Sequence, residues 1–294
     1  MPAALSHFLL ADWLLKKAEV SAAVSNRPAF LWGAQGPDFF YCHRFLPWQK
    51  GNNLQKYGTV FHQSAPSRLL EEMRAYDKES NDPAVHAYLL GFLSHYALDS
   101  VAHPFVRYSA HMLHSLVELS TEETCHHTVE SMLDVILLRY ERASLPTEIA
   151  LKKLVPKDPA TYRGMVGLYQ RVSFQLYGEK LEPFLLEQCL KDCRTAFGWM
   201  TDRTTLKKQW LVRREKKKNK PPILSCHLRS MTEEDDFDYA NILHQEWQWP
   251  LESGPVNTDS FFDLFDQAEQ KALLLIEGYQ EGKSFLSLTQ DQPF

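Results

Sequence analysis

His95, Asp99 and His103 stand four residues apart inside an apolar run from Tyr88 to Val106. An α-helix turns about 100° per residue, so each of these side chains is offset by only about 40° from the one before, and all three project from one face. Two imidazoles and a carboxylate in one buried row are costly unless they are paired or bound to a cation. Nitrogen with carboxylate oxygen is a zinc-binding set. A second pair at the same spacing, His126 and Glu130, shares one face of a later helix, while His127 is turned about 100° away and is expected beside Met132 or Leu133. His7 lies near an apolar helical face close to the start. Asp38 sits in the turn-rich Phe30–Tyr41 stretch, flanked by Pro37, Phe39, Phe40 and Tyr41, and His62 opens a helix running to about Tyr76.

These eight candidates, His7, Asp38, His62, His95, Asp99, His103, His126 and Glu130, contain no thiolate. Imidazole and carboxylate without cysteine is the ligand mixture of hydrolytic rather than structural zinc. Eight groups exceed one ion's capacity, and two or three Zn2+ ions spaced about 3.5–4 Å apart would use them. Such clusters carry out in-line displacement at phosphorus, one metal generating hydroxide while the others neutralise the attacked and leaving oxygens.

The elements that must position these side chains are helices. Apolar spacing predicts helices over Pro2–Val20, His62–Tyr76, Ala84–Val106, Thr121–Arg142, Ala160–Leu176, Glu179–Trp199 and Ser260–Gly278. Asp82 and Pro83 form a good start for the central helix, and Pro104 is expected to kink or end it. His111 and His114 have no partner in the main set and are expected on the surface or behind the ligands. The Trp247–Pro250 stretch is expected to pack on the domain, and the chain beyond Gly282 to be ordered only if it docks.

With 294 residues and 44% hydrophobic content, the chain can build one large helical domain with appendages. No run is apolar enough to span a membrane, and the first twenty residues, interrupted by His7, Asp12, Lys16 and Lys17, do not read as a secretory signal, so a cytoplasmic location is the expectation. Five scattered cysteines argue against a disulfide framework, and Cys189 and Cys193 read as buried thiols. The net charge of -5 is mild, but Lys207–Lys220 carries eight basic residues against one acid, Glu215. Such a segment could touch anionic lipid or nucleic acid, although a solvated linker is the favoured reading. Pro221-Pro222 closes it and an acidic run, Glu233, Glu234, Asp235, Asp236 and Asp238, follows. The division expected is a main helical domain over 1–200, a basic linker over 201–222 and a C-terminal helical extension over 223–294.

The order His7, Asp38, His62, His95-x3-Asp99, His103, His126-x3-Glu130 resembles the bacterial zinc-dependent phospholipase C family. The specific parts are Gly36-Pro-Asp38 and the stretch Gly91–Phe105, and the likeness covers roughly residues 1–150. The resemblance implies an all-α bundle with a multinuclear metal site between helices. It implies that Asp38, His62, His95 and Asp99 hold one ion, that His103, His126 and Glu130 hold a second, and that His7 with a bridging Asp99 holds a third. Asp38 would also orient or deprotonate the attacking water. The secreted phospholipases place an N-terminal tryptophan on the third ion. This chain begins Met1-Pro2, and Pro2, once Met1 is removed, could supply the amine. The short interval from Asp99 to His103 is more similar to glycosylphosphatidylinositol-specific phospholipase D, which shares this domain. The implied activity is hydrolysis of a phosphodiester or phospholipid head group, with peripheral membrane contact allowed. The alternatives are a nuclease or other phosphoesterase of the same superfamily, nucleic acid being the less favoured partner, and a non-catalytic metal-binding protein.

Overall fold

The structure is a computed structural model, and it describes residues 4–46, 48–231 and 236–294. The chain is all-α. In order come α1 (Ala4–Leu14), α2 (Ala18–Ala23), α3 (Arg27–Gly33), a 3-10 turn (Gly36–Cys42), α4 (Lys56–His62), α5 (Pro66–Ser80), α6 (Pro83–Leu116) and α7 (Glu122–Arg142). They are followed by α8 (Pro159–Tyr177), α9 (Pro183–Met200), α10 (Leu206–Lys217), α11 (Phe261–Gln280) and α12 (Phe285–Thr289). The β-structure among the described residues is an antiparallel pair, Trp247–Gln248 with Val256–Asn257. No described helix is long and apolar enough to cross a membrane.

Helix α6 is the axis, with α3, α7, α11, α1 and α8 packed around it. It starts as expected, Asp82 accepting from the Ala84 N–H at 2.8 Å and Pro83 in the first turn. Of the two outcomes expected at Pro104, a kink or an end, the helix does not end there and runs on to Leu116. Proline at this position removes the N–H that would bond the Ser100 carbonyl. The side-chain amide of Gln292, from the C-terminal tail, donates to that carbonyl at 2.7 Å, so the freed acceptor is satisfied and the helix continues.

The α3–α6 crossing depends on two glycines. A Cβ on Gly91 would lie 2.0 Å from the Phe30 carbonyl oxygen, and one on Gly33 would lie 2.1 Å from that of Tyr88. Backbone meets backbone there, which brings the loop after α3 down onto the middle of α6. At the other end of the site, the first turn of α1 is held from another helix. Buried Asp134 of α7 holds it, accepting from Leu5 N–H at 3.1 Å, Ser6 N–H at 2.7 Å and Ser6 Oγ at 2.7 Å, while Arg229 Nε donates to it at 2.8 Å.

Several elements differ from the expected bounds. The first helix breaks between Leu14 and Ala18, the Phe30–Tyr41 stretch holds α3 and a 3-10 turn, and His62 closes α4 instead of opening a helix. Asn26, whose side chain accepts from Ala29 N–H at 3.0 Å, starts α3 and was unremarked in the pattern. The segment expected as a basic linker contains α10. Pro2 and the Glu233, Glu234 and Asp235 part of the acidic run lie outside the described residues. Trp247 packs down as expected, its ring 5.4 Å from that of Phe105, and Cys189 and Cys193 are buried free thiols. His111 and His114 are on the surface, bonded to Glu122 and Ser120.

Gly91→Ala tests the crossing. An exposed helical Gly→Ala change stabilises by about 1 kcal/mol, whereas this one is expected to destabilise by about 2 kcal/mol or more because backbone must move to admit the methyl. Urea denaturation of the variant measures the sign.

Candidate metal centre

All eight predicted residues converge. Three groups have ligand atoms mutually within 4.8 Å: Asp38, His62 and His95; His7, His95 and Asp99; His103, His126 and Glu130. α6 supplies the four-residue row, α7 supplies His126 and Glu130, α1 supplies His7, the end of α4 supplies His62, and the 3-10 turn supplies Asp38.

Asp99 joins the groups. Its Oδ2 lies 3.3 Å from His95 Nε2 and 3.4 Å from His62 Nε2, and its Oδ1 lies 3.1 Å from His7 Nε2 and 3.9 Å from His103 Nε2. His62 also approaches Asp38 Oδ1 at 3.3 Å and His95 Nε2 at 3.3 Å. Glu130 Oε1 lies 3.0 Å from His126 Nε2 and 3.7 Å from His103 Nε2. The His7 group departs from the implied set by drawing in His95 beside His7 and Asp99, and the group of Asp38, His62 and His95 does not include Asp99.

The donor set fits a metal on its own chemistry. His62 Nδ1 is 2.6 Å from the Gly58 carbonyl, an acceptor only, so Nδ1 carries the proton that is donated. In the neutral ring Nε2 then turns a lone pair towards two carboxylate oxygens. Acceptors facing acceptors at that distance need a shared cation or proton, and a carbonyl behind the imidazole is the outer partner that fixes a metal-binding tautomer. A proton can serve: burial works against a charged His62, but Asp99 and Asp38 outweigh it and raise its pKa. The same balance holds at His103, where burial is outweighed by Asp99 and Glu130 and the pKa reaches about 9. Burial dominates at His95 and holds it well below the usual imidazole range. Asp99 and Glu130 go the other way: burial would raise both, but the surrounding imidazoles hold them well below the ordinary carboxylate range.

The Asp38 turn is placed by Gly36. Its φ is +51°, which glycine adopts without penalty, and a Cβ there would lie 2.1 Å from the His95 ring. The backbone therefore passes directly over a ligand imidazole. Burial raises the Asp38 pKa, although His62 opposes this.

Seven of the eight candidates, all but the fully buried His95, line a cavity of about 700 Å³, the size of a small-molecule site. Its other walls include Tyr41, Phe45, Trp199, Met200, Ile223 and Leu224, and Arg107 is the one guanidinium among the lining residues described.

Among the lining residues that the sequence reading did not place at the site are Arg107, His127, His227 and Phe294. Arg107 continues the His95, Asp99, His103 series by one more four-residue step, a signal that was present. His127, set aside for His126, faces the cavity too: its Nδ1 is 3.6 Å from Glu130 Oε2, and its ring lies 4.6 Å from His227, in place of the expected contact with Met132 or Leu133. His227 belongs to a 3-10 turn a hundred residues later and had no spacing signal. Burial, with His127 adding to it, pushes the His227 pKa down to about 2. Phe294 is buried with its ring 5.3 Å from His62 and 6.0 Å from His95. The tail that carries it is docked, Tyr96 Oη donating to the Gln292 carbonyl at 2.8 Å and Lys271 Nζ to Gln292 Oε1 at 2.7 Å.

Compared with known proteins, residues 6–191 match a family model described as zinc dependent phospholipase C. No curated protein and no solved structure matches the chain significantly.

Elemental analysis of zinc-loaded protein is expected to give about two or three ions per chain, and fewer in both Asp99→Ala and His126→Ala. Chelation is expected to lower Tm by several degrees, since the ligands repel one another without a cation. Less than one ion after loading, with both variants unchanged, would remove the cluster from consideration.

Proposed function

The chain belongs to the zinc-dependent phospholipase C family, and from that premise we propose that it is a zinc-dependent phosphodiesterase that cleaves a phospholipid or a closely related phosphodiester. The observation that carries the reading is the Asp99 carboxylate, whose two oxygens face different imidazole groups along the floor of an open cavity. In this reading Asp38, His62, His95 and Asp99 hold one ion, His103, His126 and Glu130 a second, and His7 with Asp99 a third. Zinc, when bound there, supplies Lewis acidity towards the phosphoryl oxygens and acidifies water.

The protein's own groups divide the remaining work. Asp38, on the cavity wall with its carboxyl basicity raised by burial, is the group placed to orient water or accept its proton. Arg107 offers positive charge to a phosphate diester at the same wall. Tyr41, Phe45 and Trp199 give the cavity an apolar side against which a head group can lie. Among the described residues the ligand sets open onto that cavity, whereas a purely structural zinc site would be closed by protein on every side.

A nuclease of the same superfamily is the second reading, and the basic Lys207–Lys220 segment supports it. A chromogenic phosphocholine diester and a single-stranded oligonucleotide, offered to the same zinc-loaded sample, separate the two. Diester cleavage is expected, abolished by chelation and restored by zinc, and Asp38→Asn is expected to lower kcat/KM by at least about 100-fold with helical content unchanged. Metal-loaded protein that cleaves neither compound would overturn the hydrolase reading.

A further inference from the structure

We infer that α10 and the chain on either side of it form a docking surface for an anionic phospholipid bilayer, set at the mouth of the cavity that the candidate ligands line. The inference names a partner for the site proposed above and rests on that reading for its purpose, but not for its measurement.

The charge on this segment is one-sided. Helix α10 and the residues after it carry Lys207, Lys208, Arg213, Arg214, Lys216, Lys217, Lys218 and Lys220. The single acid, Glu215, is buried and spent internally, its carboxylate accepting from Leu224 N–H at 2.7 Å and Ser225 Oγ at 2.5 Å. It does not neutralise the outer face. Among the described residues, Arg213, Arg214, Lys216 and Lys217 have no carboxylate partner.

The same face is apolar where a solvated helix would be polar. Leu206 and Trp210 are one turn apart and 64% and 56% exposed, and the Arg214 guanidinium lies 5.2 Å from the Trp210 ring centroid. Leucine and tryptophan beside arginine and lysine is the composition of a helix lying in a lipid interface, where rings and aliphatic stems enter the acyl boundary and cations stay with phosphates. Ile223 and Leu224, just past the end of the helix, are 53% and 46% exposed. A nucleic-acid backbone would use the cations but would leave the exposed leucines and isoleucine without partners.

The chain path ties this surface to the cavity. Trp199 and Met200, at the end of α9, line the cavity just before α10 begins, and Ile223 and Leu224 line it just after α10 ends. Lys207 Nζ donates to the Trp199 and Thr201 carbonyls at 2.5 and 3.0 Å, fastening the start of the helix to that wall. A bilayer resting on α10 therefore meets the cavity rim, and a lipid head group has a short path to the ligand sets.

The test is co-sedimentation of zinc-loaded protein with vesicles of pure phosphatidylcholine and of phosphatidylcholine containing about one third phosphatidylglycerol. The wild type is expected to bind the anionic vesicles and to be released by high salt. Since each basic side chain near such a surface contributes about a fivefold gain, the triple variant Arg213→Gln, Arg214→Gln, Lys217→Gln is expected to partition about 100-fold less. Leu206→Ser with Trp210→Ser is expected to bind less as well, and in both variants cleavage of a soluble short-chain diester should stay within about twofold of wild type. Equal wild-type binding to both vesicle types, no binding to either, or variants that bind like wild type would each overturn the inference. Oligonucleotide binding lost in the triple variant, with vesicle binding absent throughout, would assign the surface to nucleic acid. Vesicle binding without cleavage of any diester would overturn the hydrolase reading alone, and cleavage without vesicle binding would overturn this one alone.

Discussion

A carboxylate taken out of water and surrounded by imidazole nitrogens cannot be treated as an ordinary core residue. Asp99 is 5% exposed, and four histidines direct Nε2 atoms to its two oxygens at 3.1 to 3.9 Å. Such an array is stable only when positive charge is shared among the acceptors, as protons or as metal. The position of Asp99 midway along α6 therefore constrains its neighbours: α1 and α4 must each deliver one imidazole to it, the 3-10 turn must bring Asp38 to His62, and α7 must deliver the Glu130 set next to it.

The rest of the structure serves that delivery through close contacts to main chain, made by other main chain or by buried polar side chains. Gly33 and Gly91 let α3 and α6 touch main chain to main chain, which brings Gly36 over the His95 ring and Asp38 to the cavity wall. Asp134 secures the first turn of α1 and so fixes His7 one residue beyond its last contact, Ser6. Gln292 occupies the carbonyl that Pro104 leaves unpaired, and the tail carrying it also seats Phe294 beside His62 and His95. A helix broken at Pro104 would part Arg107 from the row of His95, Asp99 and His103, so a residue of the tail supports the course of the central helix.

The segments outside residues 6–191, the span of the family match, are not passive cover. His227 completes the wall beside His127 and Glu130, Ile223 and Leu224 form the rim, and α10 presents a basic and apolar face next to it. The ligand sets lie within the span of the family match, while part of the cavity rim lies outside it.

Regular spacing made much of this legible in the sequence. Period-four placement on a helix determined that His95, Asp99 and His103 share a face and that His126 pairs with Glu130, because helical geometry relates such residues without reference to anything distant. The caps at Asp82, Thr121 and Ser260 are equally local, and the elements they begin were found. His7, Asp38 and His62 were picked out as chemically suitable, and the order of all eight carried the family likeness, but no local rule says that they meet. Only the tertiary structure decided what depends on long-range partners: that α6 survives Pro104 because Gln292 replaces the missing donor, that His127 meets His227, and that Phe294 packs against the ligands. Local periodicity reports which face of a helix is buried; which atoms arrive on that face is set by packing between elements far apart in the chain.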